Sequence, residues 1–456
     1  MYRICLFVLV FSIATEARTV KCRSFSIMDS IYSFAEGVSN LAEIFSHLGD
    51  IFEAVTNDMP IETSDGSKAI DEDAYLNISQ LINKYGYDFE EHHVVTEDGH
   101  ILGIHRLSSK NKPRNGKVVF LMHGILDSSD SWILQGPNKS LGYILADNGF
   151  DVWMGNARGN KHSLSHVSLQ SDDSDFWEFT WEEIGLYDLP AMVDYVLNHT
   201  RKQNVYYVGH SQGTTTFYVM LSMKPEYNEK IKLMFSLAPV AWMTHARSPL
   251  ARIFSPAYKV LGYLLSNFNR YMSSTDFFNR IAPMLCTILP SNCNNIIYMA
   301  IGSDMSHVNS SLIPVIFGHL PTGSSTSQFV HYGQLIESAS FRRYDFGEEL
   351  NMKIYERVAP PEYDLSNIKV PIIIFYSNND WLSDVKDVFT LRLNLPNVVS
   401  EYLIDDFSHF DFMYGMKAKD MIYFEIVNTM LKDDKSSRRS ITNFSNLLNE
   451  IMRDAF

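Results

Sequence analysis

Gly209-His210-Ser211-Gln212-Gly213 sets a hydroxyl between two glycines where an apolar run ends and a helix-like run begins. A serine hydroxyl is a poor nucleophile until a histidine takes its proton, and that histidine needs a carboxylate to hold its tautomer and support the imidazolium. The chemistry this predicts is acyl transfer through a covalent serine intermediate. Val205 to Val208 reads as a strand and Thr214 to Met223 as a helix despite its poor helix formers. A tight strand-to-helix turn is the context that gives the short pattern its meaning.

For a serine on such a turn, the acid and then the histidine should follow in chain order. Asp380 stands just after the strand-like VPIIIFYS, and His409 just after VVSEYLI. Both therefore fall at strand C-terminal ends, the edge that carries Ser211. Among 15 histidines, His210 reads as structural, and His123 as a hydrogen-bonded turn residue. Asp384 competes with Asp380 but is better explained as a helix cap. Asp405 and Asp406 lie too near His409 for a separate acid loop, and Asp411 is placed to support the histidine. The oxyanion requires two backbone donors: the N–H of Gln212 and, from the loop after VVFLMHG, that of Ile125.

These residues need a frame. The hairpin-like HHVVTEDGHILGIHRL is followed by apolar strands alternating with helical segments, including GLYDLPAMVDYVLNH in spite of Pro190. That alternation predicts an open, mostly parallel α/β sheet. Between KIKLMFSLAPV and VPIIIFYSN the alternation stops, and the aromatic-rich interval reads as a helical insertion, because a structureless loop of that length is improbable. The predicted segments are a leader (1–17), an extension with an amphipathic helix and linker (18–84), the first part of the sheet domain (85–240), the insertion (241–357), the remainder of the sheet domain (358–432) and a polar tail (433–456). Within the insertion, the apolar stretch 256–285 is expected to contribute to an acyl pocket.

The 456 residues, 46% apolar and 20% charged, suffice for a large core. A net charge of −15, from 38 basic and 53 acidic residues with no basic patch, argues against a nucleic-acid partner. The apolar run Ile4 to Ile13 is about half a bilayer span, so it reads as a cleaved signal rather than an anchor, and no transmembrane segment is expected after cleavage. Export makes a small-loop disulfide between Cys286 and Cys293 plausible, with Cys22 left over. Acceptor triplets for N-glycosylation occur at Asn77, Asn138, Asn198, Asn309 and Asn443. There is no paired-histidine zinc spacing, no calcium loop (DSSDSW lacks its glycine and glutamate) and no phosphate loop, so no cofactor or metal is predicted and water is the only co-reactant.

The runs DGHILGIHRL, VVFLMHGILDSSDSW, LADNGFDVWMGNARGN, YYVGHSQGT, APPEYDLSNIKVPI and SHFDFMYG resemble the acid lipases of animals, the group that contains gastric and lysosomal acid lipase, within the α/β-hydrolases. The resemblance covers residues 85 to 432. It implies an α/β-hydrolase fold with a large helical cap, Ser211 as nucleophile, Asp380 of DWLSD as acid, His409 of HFDF as base, and Ile125 and Gln212 at the oxyanion hole. It further implies triacylglycerols or sterol esters met at a lipid–water interface, in a secreted or lysosomal setting. On the residues alone, an esterase for small soluble esters and an inactive binding homologue remain open.

Overall fold

The computed structural model describes residues 70–248, 251, 271–272, 276–288, 293–294, 297 and 307–432. The leader, the amphipathic stretch up to residue 69 with Cys22, part of the 256–285 stretch, and the tail with Asn443 lie outside the described residues.

Strands β1 (Tyr87–Val95) and β2 (His100–Ser109) form the expected hairpin, closed by the Thr96 N–H donating to His100 O at 2.8 Å. β3 (Val118–Met122), β4 (Asp151–Gly155), β5 (Ser165–His166), β6 (Val205–His210) and β7 (Ile231–Leu237) follow. β8 (Tyr271–Met272) and β9 (Ser324–Ser325) pair as a separate short ribbon, and β10 (Ile372–Ser377) and β11 (Val398–Ile404) complete the main sheet. Its order is β1-β2-β4-β3-β6-β7-β10-β11, with β5 beside β2. β2 runs antiparallel to β1 and β4, whereas β4, β3, β6, β7, β10 and β11 are mutually parallel.

The central parallel strands read as nearly unbroken apolar runs because both sheet faces are covered there, whereas the edge strand β11 (VVSEYLI) is half-exposed. Along β3, Val119 and Leu121 enter one core cluster, and Phe120 and Met122 enter the other. The helices of seven or more residues among the described residues are α1 (Ile78–Lys84), α2 (Leu141–Asp147), α3 (Leu189–Thr200), α4 (Gln212–Met223), α5 (Asp276–Ile288), α6 (Ile313–His319), α7 (Thr326–Ser338), α8 (Glu348–Tyr355), α9 (Val385–Asn394) and α10 (Phe424–Lys432). Pro190 is tolerated because it falls in the first turn of α3, directly after a π-helical turn over Ile184–Asp188, where a missing N–H costs little. No helix among the described residues is long and apolar enough to cross a membrane.

From β3 the chain first builds β4 on one side, then crosses back to place β6 on the other. The crevice at the carboxyl ends of β3 and β6 is the switch point where α/β sheets bind their ligands. The insertion between β7 and β10 is helical in its described parts (α5 to α8), apart from the two-residue ribbon. A disulfide joins Cys286 to Cys293. Both sulfurs are buried in a cluster with Ile313 and Phe317 that packs on Leu382 and Phe410. α7 docks where His331 stacks on Trp181 with ring centroids 3.7 Å apart.

Candidate active site

β6 ends at His210 and α4 begins at Gln212, so Ser211 alone makes the turn. Its φ of 53° and ψ of −119° are a conformation that non-glycine residues adopt only when their surroundings force it, at about 1–3 kcal/mol. The flanking glycines answer to close approach. A Cβ at Gly213 would lie 2.3 Å from Met122 O, and one at Gly209 would lie 2.7 Å from Gly213 O. The tight helix start against β3 is therefore possible only without those side chains.

Ser211 Oγ lies 2.7 Å from His409 Nε2, and His409 Nδ1 lies 2.8 Å from Asp380 Oδ2. The three predicted residues, drawn from loops after β6, β10 and β11, converge and are buried. The other Asp380 oxygen accepts the N–H groups of Leu382 and Ser383, each at 2.9 Å. Burial pushes the Asp380 carboxyl up, but the adjacent His409 imidazole and its hydrogen bond, aided by those two N–H groups, outweigh it and hold the carboxyl below its ordinary range. A carboxylate beside Nδ1 fixes the proton there and leaves the Nε2 lone pair facing the serine.

Asp384 caps α9 by accepting the Lys386 N–H at 3.0 Å and pairs with Arg247, as a capping role predicts. Asp411 supports the histidine loop by accepting the Ser408 N–H at 2.6 Å. Asn378 and Asn379 tie the acid loop to the histidine loop through Asp405 Oδ1 (3.1 Å) and Asp406 O (3.2 Å). His210 donates from Nε2 to His409 O at 3.1 Å, and burial holds it neutral, its pKa lowered to about 3.

Ile125 lies in the loop after β3, between Gly124 and Leu126. The position of a Gly124 Cβ would be 3.2 Å from Ser211 Cβ, so this loop borders the serine directly. Gln212 occupies the first position of α4, where a backbone N–H has no partner inside the helix. The Ser211 N–H is already bonded to Leu237 O at 3.0 Å. His123 fixes the loop from beneath: Nδ1 donates to Gly124 O (2.7 Å), while Nε2 accepts from the Ala157 N–H and Asn160 Nδ2, both at 3.1 Å. Burial lowers its pKa to about 4, so it is a neutral strut.

Spacing alone misses the supporting residues because they come from distant segments. Thr322 of the insertion donates its N–H to Leu126 O (2.8 Å) and its hydroxyl to Asp127 O (2.7 Å). Asp130 gathers Lys161, His162 and His319 within 2.8 Å. Asp130 of the DSSDSW loop is thus engaged by three side chains from other segments. Away from the site, Glu90, His92 and His199 bring ligating atoms within 4.8 Å of one another. Arg106 already contacts both Glu90 oxygens there, at 3.0 and 3.2 Å, and approaches His199 at 3.5 Å. β1 and α3 assemble that trio, so no local spacing announces it.

Residues 78–136 match the family described as partial alpha/beta-hydrolase lipase region, and residues 117–283 match the alpha/beta hydrolase fold. Lipase 1 of Drosophila melanogaster is 39% identical over 378 residues, covering 81% of this chain and 83% of that protein. Gastric triacylglycerol lipase of Rattus norvegicus is 38% identical, covering 79% and 93%. Lysosomal acid lipase/cholesteryl ester hydrolase of Homo sapiens is 36% identical, covering 80% and 93%. Identity of this order across nearly the whole length of each relative, on an α/β sheet that brings a serine, a histidine and an aspartate together at its switch point, places the chain in the animal acid lipase family of the α/β-hydrolases, as a carboxylic ester hydrolase.

Proposed function

We propose that Ser211 is the nucleophile, His409 the general base and acid, and Asp380 the carboxylate that orients the imidazole, in hydrolysis of a neutral lipid ester. The carrying observation is the relay of 2.7 Å from Ser211 Oγ to His409 Nε2 and 2.8 Å from His409 Nδ1 to Asp380. As Ser211 Oγ bonds to the ester carbonyl carbon, its proton passes to His409 Nε2. The carbonyl oxygen becomes an oxyanion held by the N–H groups of Gln212 and Ile125. Collapse breaks the bond to the alcohol oxygen, which takes the proton from His409. Water then attacks the acyl-enzyme, gives a proton to His409, and the carboxylic acid leaves as Ser211 recovers its hydrogen.

For substrate we infer triacylglycerol or sterol ester presented at a lipid–water interface. The printed names of the gastric and lysosomal relatives support this, as does an insertion rich in large apolar side chains. Each buried methylene of an acyl chain contributes about 0.8 kcal/mol, so a deep apolar pocket favours long chains. We further assign the cap to 241–357, between core segments 85–240 and 358–432, and secretion or lysosomal delivery to the mature chain. Asn77, Asn138, Asn198 and Asn309 are exposed, as glycan acceptors must be.

The test is a turnover panel with wild type and Ser211→Ala on triacylglycerol and sterol ester emulsions, phospholipid vesicles and dissolved short-chain esters. Removal of the hydroxyl should lower turnover by about three orders of magnitude or more on the neutral emulsions, with the fold retained. Serine-dependent turnover confined to short dissolved esters would overturn the lipid assignment. Wild-type turnover by Ser211→Ala would overturn the nucleophile.

A further inference from the structure

Helix α4 carries Thr214, Thr215 and Thr216 directly after Gln212 and Gly213, and their branched side chains suit strands better than helices. Each hydroxyl has a task. Thr214 Oγ1 donates to Ser211 O at 2.6 Å and accepts the Val240 N–H at 3.0 Å. Thr215 Oγ1 donates to Val240 O at 2.6 Å, and Thr216 Oγ1 to Gln212 O at 3.1 Å. These bonds sew the elbow and the first turn of α4 to the loop after β7. From the insertion, Tyr332 on α7 brings its hydroxyl to 3.2 Å from Thr215 Oγ1 and 3.3 Å from Gln212 Oε1. The Thr215 proton is already directed to Val240 O, so the single Tyr332 hydroxyl hydrogen is shared between Gln212 Oε1 and Thr215 Oγ1. Its ring is held 5.6 Å from that of Trp181 and packs with Val240 and Met243.

We propose that Tyr332 is a positioning residue for the oxyanion donor on Gln212: by pinning the Gln212 side chain and the Thr215 hydroxyl together, it fixes the first turn after Ser211 from the side of the cap. This rests on the reading of Ser211 as nucleophile and the Gln212 N–H as donor. Ser211 stands at a positive φ, and the direction of the Gln212 N–H depends on the torsions around that strained residue. A hydrogen bond to a developing oxyanion weakens steeply with angle, so a donor left free to rock loses transition-state stabilisation while ground-state binding is untouched. The cap then takes part in the chemical step.

The experiment uses the full chain and a dissolved short-chain aryl ester, so that adsorption to lipid plays no part. Tyr332→Phe and Thr215→Val are compared with wild type, Thr215→Ser and Ser211→Ala for kcat, KM and the rate at which a phosphonate ester labels the active serine. Tyr332→Phe should lower kcat and the labelling rate together by roughly three- to tenfold, the scale of one hydrogen bond, with KM and the thermal midpoint nearly unchanged. Thr215→Val should behave alike, Thr215→Ser should keep most of kcat, and the Tyr332→Phe/Thr215→Val pair should fall no further than either alone. Unchanged kcat and labelling in Tyr332→Phe, or a loss seen only in KM or thermal midpoint, would overturn the positioning role while leaving the nucleophile intact. Wild-type turnover that survives Ser211→Ala would remove the nucleophile assignment, and the Tyr332 role with it.

Discussion

Gly213→Ala is the sharpest perturbation of the elbow, because its steric consequence can be read off atom by atom. The added carbon would stand 2.3 Å from Met122 O, 2.8 Å from Met122 C and 2.9 Å from His123 O, where 3.0 Å is the least that real structures tolerate. The neighbour is backbone, so no rotamer change relieves it, and the helix start and β3 must part by at least 0.7 Å against the carbonyl. Met122 is in register with Gly209 of β6, so the displacement enters the β3–β6 pairing beside Ser211 and the Ile125 loop. Alanine gains about 0.8–1 kcal/mol over glycine in helix propensity, and overpacking of this kind costs about 1–3 kcal/mol, so a net loss of roughly 1 kcal/mol, with a ceiling of about 2 kcal/mol, is expected. Turnover should fall further, by about a hundredfold, because a displacement approaching 1 Å spoils the attack geometry. Urea unfolding and turnover on a triacylglycerol emulsion measure the two effects. Gly86→Ala is the control: its φ is +83° but nothing lies within 4 Å of the new carbon, so only local strain of about 1 kcal/mol and no loss of turnover should appear. Wild-type turnover and stability in Gly213→Ala would refute the close-approach account of the motif.

Two further perturbations separate neighbouring roles. Asp380→Asn presents an amide where both carboxylate oxygens now accept, so the imidazole loses the partner that fixes its tautomer, and turnover should drop by about 10⁴. Asp384→Asn should leave turnover near wild type, since that side chain caps α9, and the reverse ranking in a steady-state assay would move the acid. Asp127→Asn tests pH linkage beside the Ile125 loop, where burial raises the Asp127 carboxyl to about 7. A group whose folded pKa is raised contributes stability that is full below its unfolded value near 4 and is lost as pH rises through about 7. The variant, which can keep the acceptor for the Ser128 N–H and the Ser131 hydroxyl, should match wild type at pH 4 and become more stable relative to it by pH 8, with a ceiling of about 4 kcal/mol. A stability difference that does not vary with pH in urea titrations would count against it.

The sheet is legible in the chain because its central strands are buried on both faces: apart from serines and Tyr376, VVFLM, IKLMFSL and IIIFYS carry one polar residue, Lys232, which is only half-buried and reaches over the Tyr206 ring. Ser211, Asp380 and His409 are legible because proton relay admits few residue types and the fold fixes which strand ends face one another. Pro190 marks where local reading falls short: whether a helix can hold proline depends on the π turn ahead of it, which is set by packing rather than by the neighbouring letters. Asp411 shows the same limit from another side. Its position near the histidine is visible, but the N–H of Ser408 takes its carboxylate, and only the turn geometry decides that.

The least legible layer is the one joining the insertion to the reactive groups, since many residue types can donate a hydrogen bond or fill a gap. Leu382 and Phe410, which adjoin the acid and the histidine, pack against the cluster around the Cys286–Cys293 disulfide. Thr322 holds the carbonyls of Leu126 and Asp127 beside the Ile125 loop, and Tyr332 holds the side chain of Gln212. Each loop that carries a reactive or stabilising group therefore has a contact from the insertion. An element that only covered a pocket would need contacts at its rim. Contacts to the loops that carry Asp380, His409, Ile125 and Gln212 restrict the motions that would lengthen the 2.7 Å contact between Ser211 and His409. On the proposed reading of Ser211, His409 and Asp380, these contacts join the insertion to the geometry of the chemical step, so changes in it should register in kcat even with small dissolved esters.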